Sequence, residues 1–279
     1  MNGTIAHTAA DRAGGPAGPV RIAFFDVDET LIGLKSMFSF LEFHLADQER
    51  YRATADALTR AARAGVPRAA TNRAYYRAYA GMERAAVAES GRRWFAAVRG
   101  QAGFFHREAV GELRRLQGEG YRVALVSGSF RAPLDPVAEY LGADHVLCSE
   151  PEVADGRYTG ELLGTVIGEG KATVARALMD RLGARPEACA AYGDHASDLP
   201  LLTCVGRAGV IGDDPVLVEH AGRHGWSRLP AAVGSAAAAQ GSAAADPATG
   251  PSAAHGAAAP PSPAAPSPSS TKELSDATR

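Results

Sequence analysis

Two aspartates one residue apart follow an apolar stretch near the start of the chain, in the segment FFDVDETLIG that runs from Phe24 to Gly33. Carboxylates beside a buried strand are costly to desolvate unless a positive charge lies between them. Asp26 and Asp28 therefore indicate a site that holds a cation. What this site does depends on the groups that the rest of the chain brings to it.

Further polar groups follow other predicted elements. Ser127 and Gly128 come directly after the apolar run YRVALV, Asp194 and Asp198 lie in GDHASD after the run ACAAY, and Lys171 opens the helix before that second run. Because ligand sites in parallel sheets lie at the carboxyl ends of the strands, we expect these groups to converge. Carboxylate oxygens with open positions suit Mg²⁺, which favours a phosphate oxygen as a further ligand. Magnesium, together with Lys171, is the expected positive charge.

The elements that must position these groups alternate between strands and helices. Runs typical of buried strands are VRIAFF, YRVALV, HVLC, ACAAYG and AGVIG, and helical segments between or after them include HREAVGELRRLQGEG, KATVARALMDRLG and PVLVEHA. The segment EVADGRYTGEL is typical of a hairpin, since Asp155-Gly156 is a strong two-residue turn signal. The alternation predicts an α/β fold, with a Rossmann-like, mostly parallel sheet and helices on both of its faces.

The segment between the first strand and about residue 103 has a different pattern. Its apolar residues recur at helical spacing, as in SMFSFLEFHL, and Pro67 stands where a helix can begin. No strand is predicted there, so we expect an all-helical cap domain over residues 34–103. The Rossmann-like core then consists of residues 20–33 and 104–229.

The two ends of the chain differ in composition from this working part. Residues 1–19 are rich in Gly, Ala and Pro without periodicity, and residues 230–279 consist almost wholly of Ala, Pro, Ser and Gly. Segments with so few large apolar side chains bury too little surface to offset their chain entropy. We expect a flexible leader over 1–19 and a disordered tail over 230–279.

Charge and composition argue against several kinds of partner. The 279 residues carry a formal net charge of -2, which gives no reason to expect nucleic acid or a membrane surface as a partner. The apolar runs are too short to span a membrane, and the first residues lack the layout of a signal peptide. Cys148, Cys189 and Cys204 form no CxxC pair, which is typical of reduced thiols. We expect a cytoplasmic protein that is a monomer or a homodimer.

Four short motifs together point to a known family. DVDETL, VSGS, the lone Lys171 and GDHASD match, in order, the motifs of the haloacid dehalogenase superfamily of phosphotransferases. With a helical insert directly after the first motif, the chain resembles the phosphoserine-phosphatase-like subclass over roughly residues 20–221. The resemblance implies a Mg²⁺-dependent phosphatase that hydrolyses a small-molecule phosphomonoester through an aspartyl-phosphate.

The resemblance also implies roles for three aspartates. Asp26 would be the nucleophile that attacks phosphorus. Asp28 would protonate the leaving alcohol and then deprotonate the water that hydrolyses the intermediate. Magnesium would be held by Asp26, by the main-chain carbonyl of Asp28 and by Asp194.

The remaining motif residues are expected to serve the phosphoryl group. Ser127 and the backbone amides near Gly128 would bind its oxygens, and Lys171 would neutralise charge on the nucleophile and the phosphate. Asp198 would support the site by orienting Lys171 or a metal-bound water.

One departure from the subclass concerns the substrate. Phosphoserine phosphatases carry an acidic residue shortly after the first motif, where it meets the ammonium group of the substrate, and by count Lys35 occupies that place here. A cation there would repel an amino group and favour an additional anionic or hydroxyl group. We therefore expect Lys35 to bind the substrate, and the substrate not to be phosphoserine.

Two other functions stay open at this point. A phosphotransferase or mutase would form the same aspartyl-phosphate and pass the group to another alcohol, which a phosphorylated second product would reveal. A non-catalytic scaffold would act through the tail, but it has no need of a complete set of motif residues. Amino-acid phosphates, sugar phosphates, nucleotides and intermediates of specialised metabolism all remain open as substrates, and Lys35 argues against simple amino-acid phosphates.

Overall fold

The computed structural model of the chain describes residues 19–231. The predicted leader, apart from Pro19, and the predicted tail, apart from Pro230 and Ala231, therefore lie outside the described residues. No helix within 19–231 is both long enough and apolar enough to cross a membrane.

The strands of the described part form one large sheet and one hairpin. Their bounds are β1 (Ile22–Phe25), β2 (Arg122–Ser127), β3 (His145–Cys148), β4 (Glu150–Ala154), β5 (Arg157–Gly164), β6 (Ala190–Gly193), β7 (Arg207–Ile211) and β8 (Ser227–Leu229). Six of them build a sheet in the order β3-β2-β1-β6-β7-β8, and every neighbouring pair in it is parallel. The predicted α/β fold with a mostly parallel sheet is confirmed. The short edge strand β8 was not predicted.

Helices connect the strands and fill the segment after β1. They are α1 (Ser36–Leu45), α2 (Gln48–Arg63), α3 (Arg68–Tyr76), α4 (Arg84–Val98), α5 (Arg107–Gly118), α6 (Arg131–Leu141), α7 (Glu169–Leu182), α8 (Leu199–Thr203) and α9 (Pro215–His224). None of the strands named above falls between residues 34 and 103, where α1 to α4 follow one another. Helices α6 and α8 were not predicted.

The sheet has a separate apolar core on each face. Ala23 and Phe25 of β1 point into a core that α4, α5 and α6 cover, whereas Ile22 and Phe24 point into a core beneath α7, α8 and α9. This alternation follows from the two-residue period of a strand, and burial of both faces explains why β1 reads as a continuous apolar run.

The parallel register brings the ends of the central strands level with one another. Phe25, the last residue of β1, pairs with Leu125 of β2 on one side and with Tyr192 of β6 on the other. Consequently the loops that follow β1, β2 and β6 leave the sheet at the same edge. These loops carry the polar motifs that the sequence analysis singled out.

The predicted hairpin is present and contacts the helical segment. Its turn residues Asp155 and Gly156 have positive φ angles of 48° and 76°, as a tight two-residue hairpin turn requires. On β5, Tyr158 donates its backbone N–H to Met82 at 3.0 Å and accepts from Gly81 at 2.8 Å. The hairpin is therefore joined by backbone hydrogen bonds to the loop that precedes α4, a contact that no local sequence pattern indicates.

Helices α4 and α6 approach each other closely at Gly91. A Cβ atom added there would lie 1.9 Å from the carbonyl oxygen of Ala132, and rigid backbone cannot yield as a side-chain tip can. We predict that Gly91→Ala lowers the free energy of unfolding by about 1–3 kcal/mol, because overpacking forces the two helices apart. Urea unfolding followed by circular dichroism measures this change.

Gly111 on α5 provides the matched control, since a Cβ there meets no atom within 4 Å. Gly111→Ala is expected to stabilise the protein by up to about 1 kcal/mol through helix propensity. Equal stability of Gly91→Ala and the wild type would contradict the close packing of α4 on α6.

Candidate active site

A tight turn after β1 holds the first acidic residues. Asp26 donates its backbone N–H to Tyr192 of β6 at 2.9 Å, which keeps it in line with the sheet, and the carbonyl of Val27 then accepts from both Leu31 and Ile32. Within this turn Glu29 has a φ of 63°, an uncommon conformation for a residue with a side chain. Such local strain clusters at functional sites, where the surrounding structure enforces it.

A buried ammonium group bridges two carboxylates at this edge of the sheet. Lys171 Nζ donates to Asp26 Oδ1 at 2.5 Å and also to Asp198 Oδ1. The three residues are 5%, 5% and 1% exposed, respectively. Burial opposes the charge of Lys171, but attraction to Asp198 and Asp26 outweighs it and raises the pKa of the ammonium group. Lys171 is therefore charged at neutral pH.

The carboxylate of Asp194, in the loop after β6, lies beside those of Asp26 and Asp198. The Thr30 hydroxyl lies 2.7 Å from Asp194 Oδ1 and 3.1 Å from Asp26 Oδ2. Since the hydroxyl carries a single proton, it donates to one of these carboxylates at a time. Asp26, Asp194 and Asp198 each offer one carboxylate oxygen, and these three oxygens lie within 4.8 Å of one another.

Asp198 is fixed by the backbone of its own loop. Its Oδ2 accepts hydrogen bonds from the backbone N–H groups of Asp194 and His195, each at 3.2 Å. Its carboxyl group packs directly on Gly193, where an added Cβ would lie 2.6 Å from Oδ2. A glycine at the end of β6 is thus what allows Asp198 to reach Lys171.

The site places three carboxyl groups around one ammonium group. Burial is the main cause that raises the pKa of both Asp26 and Asp194; Lys171 lowers the pKa of Asp26 in part, and repulsion from Asp26 raises that of Asp194 further. One ammonium group does not balance this set of carboxylates. Oxygen donors with uncompensated negative charge fit a hard divalent cation such as Mg²⁺.

Asp28 lies near the acidic cluster, but its carboxylate is not one of the three clustered carboxylates, which belong to Asp26, Asp194 and Asp198. Its Oδ1 is buried and has no hydrogen-bond partner among the described residues. Burial and repulsion from Asp26 raise the pKa of Asp28 to about 7, although hydrogen bonding to Ser36 opposes the rise. A carboxyl group with this pKa can hold a proton at neutral pH and also release it.

The loop after β2 is the candidate phosphate-binding loop. Ser127 is buried at its start, and its Oγ accepts from the backbone N–H of Ser129 at 3.1 Å. Ser129 Oγ in turn accepts from the Ser36 hydroxyl at 3.0 Å. An added Cβ on Gly128 would lie 2.8 Å from Ile167, so the backbone passes close to its neighbours here.

Helix α3 contacts two of the site loops. Asn72 Nδ2 and the Tyr76 hydroxyl both donate to the carbonyl oxygen of Gly128, at 3.0 and 3.1 Å. At the first residue of the helix, Arg68 Nη1 lies 3.1 Å from His195 Nδ1 and 3.2 Å from Ser197 Oγ. Burial and the charge of Arg68 lower the pKa of His195, which keeps its imidazole neutral. Helix α3 thus contacts both the loop after β2 and the loop after β6.

Lys35 is placed at the rim of this site. Its Nζ lies 3.4 Å from Glu29 Oε2, and its side chain is 40% exposed. It makes no contact with the buried acidic group among the described residues. Its charge still contributes to lowering the pKa of His195. The expectation that Lys35 binds substrate stays a prediction.

Several contacts of the site were not predicted from the sequence. Thr30 stands four residues after Asp26, inside the first motif DVDETL, so its position was a usable signal. The contacts of Ser36, Asn72 and Tyr76 depend on how the helices pack, and no motif or spacing marks these residues.

Comparison with known proteins places this fold and site in a family. The sequence profile of the haloacid dehalogenase-like hydrolases matches residues 23–203 of the chain, which is more than half of it. The chain belongs to this family, as its four motifs predicted.

Individual relatives are similar over part of the chain. A protein of Mycobacterium tuberculosis named "Probable phosphatase" is 41% identical over 110 residues, which are 39% of this chain and 38% of that protein. The chain therefore spans less than half the length of this curated relative.

Solved structures are similar over more of the chain. A protein of unknown function from Bordetella pertussis superposes with a TM-score of 0.69 at 26% identity, covering 76% of this chain and 99% of that one. A phosphoserine phosphatase solved as a phospho-aspartyl intermediate analogue superposes with a TM-score of 0.54 at 22% identity, covering 72% and 91% of the two chains. At that identity the second likeness supports the fold alone.

Proposed function

We propose that the protein is a Mg²⁺-dependent phosphatase that hydrolyses the phosphomonoester of a small alcohol through an aspartyl-phosphate on Asp26. The observation that carries the proposal is the buried group at the sheet edge, in which Lys171 bridges Asp26 and Asp198 while Asp194 lies alongside. Membership of a hydrolase family and a relative named as a phosphatase support it.

In the first step, a carboxylate oxygen of Asp26 forms a bond to phosphorus as the bond from phosphorus to the alcohol oxygen breaks. Lys171 favours the charged form of that carboxylate against the opposing effect of burial, and its hydrogen bond holds the carboxylate in place. Asp28 donates its proton to the departing oxygen, so the alcohol leaves neutral rather than as an alkoxide.

In the second step, Asp28, now deprotonated, accepts a proton from a water molecule. That water forms a bond to phosphorus while the bond between phosphorus and Asp26 breaks. Inorganic phosphate leaves, and both aspartates return to their starting protonation states. The buried surroundings of the site keep other water molecules away from the acyl-phosphate until this step.

The residues that would hold magnesium are Asp26, Asp194 and the main-chain carbonyl of Asp28, with Asp198 beside them and already engaged by Lys171. When bound, the ion neutralises charge on the phosphoryl oxygens. Ser127 and the amides near Gly128 would bind those oxygens as well.

An assay of inorganic phosphate release tests the proposal directly. We expect phosphate release from a panel of phosphomonoesters at millimolar Mg²⁺, and loss of that release in excess EDTA with recovery when Mg²⁺ is restored. Transfer to an added alcohol, seen as a new phosphate ester instead of free phosphate, would favour a phosphotransferase. Lack of turnover together with failure of Asp26 to trap beryllofluoride would contradict the assignment.

We also propose a cytoplasmic location and the division into core and cap given above. The thiols of Cys148, Cys189 and Cys204 are all free, which suits a reducing compartment. The uninterrupted series α1 to α4 supports treating residues 34–103 as a cap over the sheet edge.

A further inference from the structure

Asn72 on α3 is held against the candidate phosphate-binding loop. It is 7% exposed, and its Nδ2 donates to the carbonyl oxygen of Gly128 at 3.0 Å and lies 3.6 Å from Met37 Sδ. One turn later, Tyr76 donates to the same carbonyl at 3.1 Å. The amide group of Asn72 therefore has a fixed position beside the loop that follows β2.

These contacts also fix which way the amide points. The carbonyl of Gly128 can only accept, so the NH₂ group of Asn72 must face it, because the flipped amide would set two acceptors against each other. Oδ1 is consequently the free end of the amide. It is buried and has no hydrogen-bond donor among the described residues.

Neighbouring hydroxyl groups do not supply the missing donor. The Tyr76 and Ser149 hydroxyls lie 3.1 and 2.9 Å from the carbonyl oxygen of Gly128, and neither forms a hydrogen bond with Asn72 Oδ1. A buried carbonyl-type oxygen without a donor is costly, and a donor group placed beside it would remove that cost.

We propose that Asn72 Oδ1 accepts a hydrogen bond from a hydroxyl group on the alcohol part of the substrate, so that the protein selects phosphomonoesters of polyols. This inference rests on the proposed phosphatase function, which places the phosphoryl group at the Ser127–Gly128 loop. A hydroxyl donor suits the site better than an ammonium donor, because Lys35 and Arg68 add positive charge at its rim. Asn72 is thereby a specificity residue, distinct from the groups that act on phosphorus.

The test compares two esters with the same carbon chain. Propyl phosphate has no hydroxyl group, whereas glycerol 1-phosphate has two. For the wild type with Mg²⁺ we expect kcat/KM to favour glycerol 1-phosphate by at least about tenfold, and 3-aminopropyl phosphate to be hydrolysed less efficiently than the glycerol ester. In Asn72→Leu, the ratio of kcat/KM between the glycerol and propyl esters should fall towards one.

Tyr76→Phe is the matched control on the same helix. It removes the other hydrogen bond from α3 to the carbonyl of Gly128 and leaves Asn72 Oδ1 in place. We expect Tyr76→Phe to lower kcat/KM by the same factor for both esters. The ratio of kcat/KM between the glycerol and propyl esters should therefore equal that of the wild type. An equal fall of the ratio in both variants would show that Asn72 acts only through the loop, and would overturn the proposal.

The remaining outcomes separate this inference from the proposed function. Equal hydrolysis of propyl and glycerol esters by the wild type overturns the inference while the phosphatase stands, and this result does not depend on whether Asn72→Leu folds. A preference for the aminopropyl ester also overturns it. If p-nitrophenyl phosphate and all three esters remain intact with Mg²⁺ present, the phosphatase proposal itself fails.

Discussion

Replacing Asp26 by asparagine is expected to lower kcat for phosphomonoester hydrolysis by on the order of 10⁴-fold or more. The amide oxygen of asparagine is a poor nucleophile and forms no stable acyl-phosphate, and no other carboxylate in the site is assigned to attack phosphorus. The measurement is release of inorganic phosphate at saturating substrate and Mg²⁺. Trapping of beryllofluoride should be lost together with turnover.

The fold of this variant should remain intact, which separates lost chemistry from unfolding. Burial raises the pKa of Asp26, so the native state disfavours its charged form, and the neutral amide removes one negative charge from a crowded group. Without metal we therefore expect a thermal midpoint at least as high as that of the wild type.

Asp180→Asn supplies the matched surface control, because Asp180 is exposed in the last turn of α7. Its activity should stay within about twofold of the wild type, as is usual for surface changes away from a site. Asp26→Asn protein that still turns over ester at a rate near that of the wild type would eliminate Asp26 as the nucleophile.

The second large effect is expected at Asp28. Asp28→Asn should slow hydrolysis of an alkyl phosphate by roughly 10²–10⁴-fold, the range typical of a lost general acid or base. With p-nitrophenyl phosphate, formation of the aspartyl-phosphate should be affected far less, because nitrophenolate leaves without a proton. The burst of nitrophenolate in a rapid-mixing experiment reports this first step separately from the slower hydrolysis of the intermediate.

This leaving-group dependence distinguishes proton transfer from a structural role. If Asp28→Asn slows the first step equally for both esters, then Asp28 positions the loop or the metal and does not protonate the leaving group. Its unpartnered, buried Oδ1 favours the acid role, since that oxygen is free to meet the departing oxygen of the substrate.

The charge balance of the site links these two predictions. Burial chiefly, and repulsion among the carboxylates in addition, raises the pKa values of Asp26 and Asp194, and Lys171 offsets this only in part. A divalent cation would relieve the repulsion among the carboxylates. Metal binding and nucleophile charge are therefore expected to be coupled, so that Asp26→Asn weakens Mg²⁺ binding as well as turnover.

Much of the fold could be predicted because local pattern and tertiary structure agree. The apolar run before Asp26 forms β1 as expected, and the Asp155-Gly156 turn forms the expected hairpin. Helix α6 was missed because Pro136 stands inside it, and proline is read as a helix breaker. Strand β8 has only three residues, too few for a recognisable alternation.

The sequence by itself determined the family, the fold class and which motif residues stand at the carboxyl ends of the strands. It could do so because parallel strands bring their ends to one edge of a sheet whatever lies between them along the chain. Only the tertiary structure decided which groups touch. Asn72 meets Gly128 across 56 positions of sequence, and Lys171 meets Asp26 across 145. Such contacts follow from how the helices pack over the sheet, and packing depends on the shapes of many side chains together rather than on any short run of residues.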